Sequence, residues 1–264
     1  MVFTDSETSI KTTPRQHRYD TQIDQRSIAT RSTMTDKVIP GAALLIIDMQ
    51  VDFVTGSLAV PGATALLEPI NEIIDLPFAY RVASKDSHPP GHISFASTHG
   101  KQPFDNTTIY PPEDLVRQTG GDVEKIKKRG LGQTLWPDHC VQGTPGIEII
   151  PGLKVDGRFD IVLKGTHLGV ECYSAFKDPW HLLSTDLEDN LHRRKVKDVY
   201  VVGVAGDFCV KATAIDAAKA GFNTFVVTDG VRSVSEGGKE YEEMKATGVG
   251  IINLVELKQR MQVA

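Results

Sequence analysis

Val201-Val202-Gly203-Val204-Ala205-Gly206-Asp207-Phe208-Cys209-Val210 decides how the rest of this chain is read. Its β-branched start reaches back to Asp198 and predicts a buried strand, Asp198–Val204. Glycines then mark a sharp turn. The Ala-rich run Val210–Ala220 predicts a helix, closed by Gly221 where a left-handed residue is wanted. Cys209 falls where that helix begins. Backbone N–H groups and the positive end of a helix dipole at such a point favour a thiolate and can hold an oxyanion. The pattern is that of a nucleophile elbow with Cys in place of Ser. The competing reading is a structural cysteine, since free Cys is among the most buried residue types. Placement favours the nucleophile for Cys209, whereas Cys140 and Cys172 lack it.

Working outward, Ala42–Ile47 is a continuous apolar run, the mark of a strand buried on both faces. Ala79–Ala83, Ile161–Leu163, Phe222–Thr228 and Gly250–Leu254 predict further strands, and Ala65–Ile74 and Lys239–Ala246 predict helices. Strands alternating with helices imply an α/β fold: a three-layer α-β-α sandwich around a mainly parallel, Rossmann-like sheet. In such sheets ligands bind at the carboxyl ends of strands. The stretch from Ser87 to Asp160 is rich in Pro, Gly, Asn and Asp. A connection of that length is expected to be functional or to contain short elements of its own.

The strand ends carry the chemistry. Asp48 follows the first strand, where desolvation would raise its pKa and make it a better base, although a turn Asp is an equally common occupant. Asp86 and His88 are two apart in an extended segment and share one face, a partial metal site. Taken alone, a D-x-H pair reads more readily as a solvated loop. His139 is a candidate third ligand that only the fold can bring near, and His92 and His99 have weaker claims. Lys164 follows the third strand. It would ordinarily snorkel to solvent, but could instead lie beside a thiolate and a carboxylate.

The bulk composition narrows the class. The chain has 264 residues, 40% hydrophobic and 24% charged, enough to bury a core without staples. A net charge of -5 argues against a broad nucleic-acid footprint. No apolar run is long enough for a membrane span, and three cysteines make no disulfide framework, which fits a reducing, cytoplasmic or other intracellular setting. Residues 1–38 are polar and lack apolar periodicity, so a disordered leader is expected before a single domain over 39–264. A transit peptide is the alternative: Arg15, Arg18, Arg26 and Arg31 suit one, and Asp5, Glu7, Asp20 and Asp24 do not.

Several motifs occur together and in order. They are Ile46-Ile47-Asp48-Met49-Gln50, Gly56-Ser57-Leu58-Ala59-Val60-Pro61-Gly62-Ala63, Asp86-Ser87-His88-Pro89, His92-Ile93-Ser94-Phe95, Trp136-Pro137-Asp138-His139-Cys140-Val141-Gln142-Gly143-Thr144, Lys164-Gly165 and the Cys209 elbow. From about Ala42 to Leu254 the chain resembles the isochorismatase-like cysteine hydrolases, and within them the nicotinamidase family. The resemblance implies hydrolysis of nicotinamide to nicotinate and ammonia through a thioester, with a catalytic triad of Asp48, Lys164 and Cys209. It implies an oxyanion site from the N–H groups of Ala205 and Cys209, beside a non-proline cis bond between Val204 and Ala205. It further implies a divalent metal on Asp86, His88 and His139, with zinc expected and iron or manganese able to fit, and His92 as a possible further ligand. Phe53, Leu58, Trp136 and Tyr173 are the expected walls of a small flat pocket for a small-molecule amide. A homo-oligomer is left open. Three rivals remain: another amidase of the superfamily, of a kind that often lacks the metal ligands; an isochorismatase proper, which does without the Cys; and a non-catalytic scaffold, which a missing triad member would mark.

Overall fold

The computed structural model describes residues 38–262 apart from Lys127 and Glu236. All but the last residue of the expected leader lies outside that range. The main sheet has six parallel strands in the order β5-β2-β1-β6-β7-β8. These are β1 (Ile39–Ile47), β2 (Phe78–Asp86), β5 (Asp160–Lys164), β6 (Asp198–Gly203), β7 (Asn223–Val231) and β8 (Gly250–Ile252). The continuous apolar run of β1 is explained by its central position: every residue from Ala42 to Ile47 is buried. Ala42, Leu44 and Ile46 face one layer, with α2 (Leu67–Ile74) and α8 (Leu254–Arg260). Ala43, Leu45 and Ile47 face the other, with α5 (Leu187–Arg193), α6 (Lys211–Lys219) and α7 (Lys239–Ala246). Full burial of each Leu or Ile contributes about 1.5–3 kcal/mol, so a polar residue on either face of β1 would be strongly destabilising.

Register puts the chemistry on one edge of the sheet. Ile47 lies opposite Gly203, and Asp86 opposite Lys164, so the carboxyl ends of β1, β2, β5 and β6 are level. The expected last strand, Gly250–Leu254, is shorter than its apolar run. Asn253 ends it by forming a capping box for α8, accepting from the Glu256 N–H at 2.9 Å while Glu256 accepts from the Asn253 N–H at 2.8 Å.

The long segment after β2 holds elements that periodicity alone did not reveal. Asn106–Ile109 (β3) pairs antiparallel with Leu131–Thr134 (β4), and α3 (Glu113–Gln118) and α4 (Val123–Ile126) lie between them. Parallel bridges from Phe95 to Trp136 and from His88 to Val141 then lay the 136–141 segment beside the end of β2. The Asp52 carboxylate, on the short α1 (Val51–Val54), accepts the Cys140 N–H at 2.8 Å and pins the segment from the far side. These contacts bring His139 within reach of Asp86.

Candidate active site

Asp48 leaves β1 in a left-handed conformation, φ +50°, which Asp tolerates better than most residues. Ser84 of β2 holds it: the Asp48 N–H donates to Ser84 Oγ at 3.2 Å, and that hydroxyl donates to Asp48 Oδ1 at 2.6 Å. Lys164, at the end of β5, is fully buried. The local expectation of a snorkelling lysine therefore fails. Its Nζ lies 2.8 Å from Asp48 Oδ2, 2.6 Å from Asp86 Oδ1 and 3.4 Å from Cys209 Sγ, and it also faces the Cys172 carbonyl. Carboxylate and sulfur atoms of Asp48, Asp86 and Cys209 all lie within 4.8 Å of one another. One ammonium thus sits at the centre of two carboxylates and a thiol.

Burial is the largest single influence on each of these groups, but neighbouring charges reverse its effect at Lys164 and Asp86. It would lower the Lys164 pKa, but Asp48 and Asp86 override it and hold the ammonium charged well above its ordinary range. Burial raises the Asp48 pKa, with Lys164 opposing. Burial would also raise Asp86, but Lys164 and His88 outweigh it and keep this carboxylate ionised. Cys209 corrects an expectation. Its thiol is pushed well above 9.0 by burial, and Lys164 only partly offsets this. The reason is structural: Cys209 lies in a π-helical turn, Gly206–Val210, that precedes α6, and it is 5% exposed. A resting thiol, deprotonated as it reacts, fits this environment better than a standing thiolate. The Val204–Ala205 bond is cis.

Asp86 joins this group to a second one. Its Oδ2 lies 3.5 Å from His88 Nε2 and 4.0 Å from His139 Nε2, and the three ligand atoms fall within 4.8 Å of one another. The Gln50 side chain clamps the Asp86 backbone, donating to its carbonyl and accepting from its N–H, each at 2.8 Å. His88 Nδ1 donates to the Gly165 carbonyl at 2.9 Å and His139 Nδ1 to the Pro137 carbonyl at 2.8 Å. In its neutral form each ring therefore turns an Nε2 lone pair inward, the tautomer a metal requires; at His88 burial lowers the pKa but the Asp86 carboxylate outweighs it and raises it. His88 Nε2 is buried without a hydrogen-bond partner. An orphaned buried nitrogen beside a carboxylate and a second imidazole fits a divalent metal. Gly165 makes the packing possible: its φ is +62°, and a Cβ there would overlap the His88 ring. His92 stacks on His88 with ring centroids 4.1 Å apart, but its nitrogens already meet Ser94 Oγ at 2.8 Å and the Val170 carbonyl at 3.1 Å. It also neighbours Glu171, in a second cluster with His88.

A small pocket opens beside Cys209. Phe53, Leu58, Trp136 and Tyr173 line it, as do Ala205, Asp86 and His139. Val60, Glu171, Phe208 and Val234 complete it and were not singled out from sequence. Phe208 neighbours Cys209 and was open to recognition. Glu171 and Val234 lie in connections with no motif of their own. Trp136 is held edge-on by Phe208, with centroids 4.9 Å apart, and by a 3.1 Å hydrogen bond from its Nε1 to Tyr173 Oη.

An Isochorismatase domain model matches residues 42–253, nearly the whole of the described chain. The chain belongs to the isochorismatase family. Among isochorismatase relatives, a nicotinamidase from Acinetobacter baylyi is 40% identical over 213 residues, covering 78% of this chain and 90% of its own. The structure of a yeast nicotinamidase bound to the inhibitor nicotinaldehyde superimposes with a TM-score of 0.73 at 35% identity, over 80% of this chain and 99% of that one. A pyrazinamidase from Pyrococcus horikoshii in complex with zinc gives 0.61 at 34%, over 81% and 100%. The α/β fold, with its mainly parallel sheet, is that of this isochorismatase group. No helix among the described residues is long and apolar enough to cross a membrane.

Proposed function

We propose that this chain is a nicotinamidase, an amidohydrolase that converts nicotinamide to nicotinate and ammonia in NAD salvage. The observation that carries the reading is the buried Lys164 ammonium, which contacts Asp48, Asp86 and Cys209 at once beside an aromatic pocket. Asp48 takes the Cys209 proton as the sulfur attacks the carboxamide carbon. The tetrahedral oxygen is held by the N–H groups of Ala205 and Cys209; one such donor is worth about 3–4 kcal/mol. Asp48 returns the proton to the departing nitrogen, ammonia leaves, and a thioester to Cys209 remains. Asp48 next draws a proton from water, whose oxygen attacks the thioester carbon; the C–S bond breaks, Asp48 passes its proton to the released sulfur to restore the thiol, and the acid departs as nicotinate after losing its remaining proton to solvent. Lys164 stays protonated throughout and offsets the negative charge that passes between Cys209 and Asp48.

Asp86, His88 and His139 would hold a divalent metal. Zinc suits one carboxylate and two imidazoles, and iron or manganese fits the same set. A metal held there would supply a Lewis-acid site able to take the ring nitrogen of the substrate. The walls Phe53, Leu58, Trp136 and Tyr173 pack the ring. Residues 39–264 form the catalytic domain in this reading, residues 1–38 take no part in the chemistry, and Cys140 and Cys172 stay as thiols in a reducing compartment. Ammonia release from nicotinamide by the purified protein, with and without chelator, tests it. Turnover that falls on chelation and returns with zinc is expected; no release from nicotinamide under metal-replete conditions refutes it.

A further inference from the structure

The pocket beside Cys209 is small and lined mostly by apolar and aromatic side chains, so what it admits beside the sulfur depends on how each wall is held. Phe53 sits in α1, and Trp136 is fixed by Tyr173 and Phe208. Val234 packs against the same apolar cluster but comes from a connection and not from a helix or strand. It lies half-buried in the connection between β7 and α7, and that connection is tied to the elbow by specific polar contacts. Asp207, two residues before Cys209, accepts the Val234 N–H on Oδ1 and the Ser235 N–H on Oδ2, both at 2.9 Å. The Gly206 N–H donates to the Arg232 carbonyl at 2.8 Å. A Cβ at Gly206 would overlap Ser233 Oγ, so the connection seats directly on bare backbone. Ser233 Oγ in turn donates to Glu240 of α7 at 2.6 Å.

We infer that Asp207 is a positioning residue for substrate selection: its two hydrogen bonds fix Val234 as the wall that excludes heteroaromatic amides bearing a ring substituent on that side. Charge-assisted bonds to backbone N–H groups are among the stronger hydrogen bonds. A carboxylate that spends both oxygens on two consecutive amides fixes the direction of the chain between them. The neighbours Phe208 and Val234 line the same pocket, so Asp207 ties one wall to another without itself being among the lining residues. The inference rests on the proposed amidase reading, and its test is built so that the two can fail separately.

The experiment compares kcat/KM for nicotinamide with that for ring-methylated nicotinamides, in wild type, Val234→Ala, Asp207→Ala and the double variant. The ratio of methylated to parent substrate is the readout, because a merely structural defect lowers both alike. One methyl in an apolar pocket is worth about 10–200-fold in discrimination, so each single variant is expected to raise the ratio for the most strongly rejected isomer by about tenfold or more. Asp207 acts through Val234, so the double variant should exceed Val234→Ala by less than about twofold. A ratio unmoved in Val234→Ala, or effects that multiply in the double variant, overturns the inference. Should Asp207→Ala fail to fold, Gly206→Ala displaces the same connection and is expected to move the ratio in the same direction. A second readout does not need turnover: the rate of Cys209 modification by iodoacetamide against the bulkier iodoacetanilide, followed by mass spectrometry of the Cys209 peptide. If wild type releases no ammonia from nicotinamide, the amidase reading falls, and the alkylation ratio alone decides. Val234→Ala and Asp207→Ala should then both raise the relative rate of the bulky reagent, and equal relative rates in all variants reject the positioning role of Asp207.

Discussion

Replacing Lys164 with Met keeps most of the stem's bulk and removes the ammonium. Its side chain is wholly buried, so no solvent screens what is left: Asp48 and Asp86 would face each other without their shared cation. Breaking a buried ion pair from one side costs about 3–5 kcal/mol. In a domain of this size 1 kcal/mol moves Tm by roughly 2–4 °C, so a fall of roughly 6–20 °C is expected, measured with metal removed by chelator. The pH dependence follows from signs. Lys164 is raised above its ordinary 10.5, so its contribution is complete below that value and is lost as pH climbs through the folded pKa. Asp86 is depressed below 3.8, so its contribution is complete above that value and is lost as pH falls. The gap between wild type and variant should therefore be widest in the neutral-to-alkaline range below about pH 10, and it should close on the acid side, starting above 3.8 because burial without the cation raises the variant's carboxylates. Alkylation gives an independent sign. Lys164 lowers the Cys209 pKa while Asp48 and Asp86 raise it, so the variant thiol should react more slowly with iodoacetamide at neutral pH. A Tm within about 2 °C of wild type, or a gap that does not change on acidification, would refute the shared-cation arrangement.

Other outcomes are expected from the same geometry. Cys209→Ala should abolish ammonia release and Cys172→Ala should retain most of it, because only Cys209 meets both Lys164 and the pocket; equal losses would reject the nucleophile. Asp48→Asn should remove acylation, read by burst kinetics, while metal content stays near wild type, since Asn keeps the shape but cannot accept the proton. Gly165→Ala forces a Cβ onto the His88 ring at a positive φ, so metal affinity, read by competition with a chelator, should fall by about 10–100-fold, the range typical of a disturbed supporting contact. A chain starting at Met34 should keep full turnover; a large loss with the fold intact would bring the leader into the site.

How much was legible follows the physics of each signal. Strands buried on both faces write themselves as unbroken apolar runs, so β1 and β6 and the parallel arrangement could be read directly. The Cys209 elbow was legible because strand, glycine turn and helix are local in sequence. Asp48, Asp86 and Lys164 were found by looking just past each strand, where parallel sheets place ligands. Short elements inside the Ser87–Asp160 segment escaped, because four-residue strands carry too little periodicity to separate from loop. Residue patterns also could not choose between a solvated and a buried Lys164, since a lysine at a strand end looks the same in both.

Sequence by itself determined the layers, the order of chemistry-bearing residues along the chain, and, through its motifs, the family. Tertiary structure decided which of those residues meet. His139 is 53 positions from Asp86 and reaches it only because β3, β4 and the Asp52 contact fold the intervening segment back. It also reversed the expected bias of Cys209: a helix start is a local feature that favours the thiolate, but desolvation depends on everything packed around the sulfur, and here it prevails. Glu171 and Val234 enter the pocket from connections without a motif, because a wall is defined by what lies across the cavity from it, a relation that adjacency along a chain does not encode.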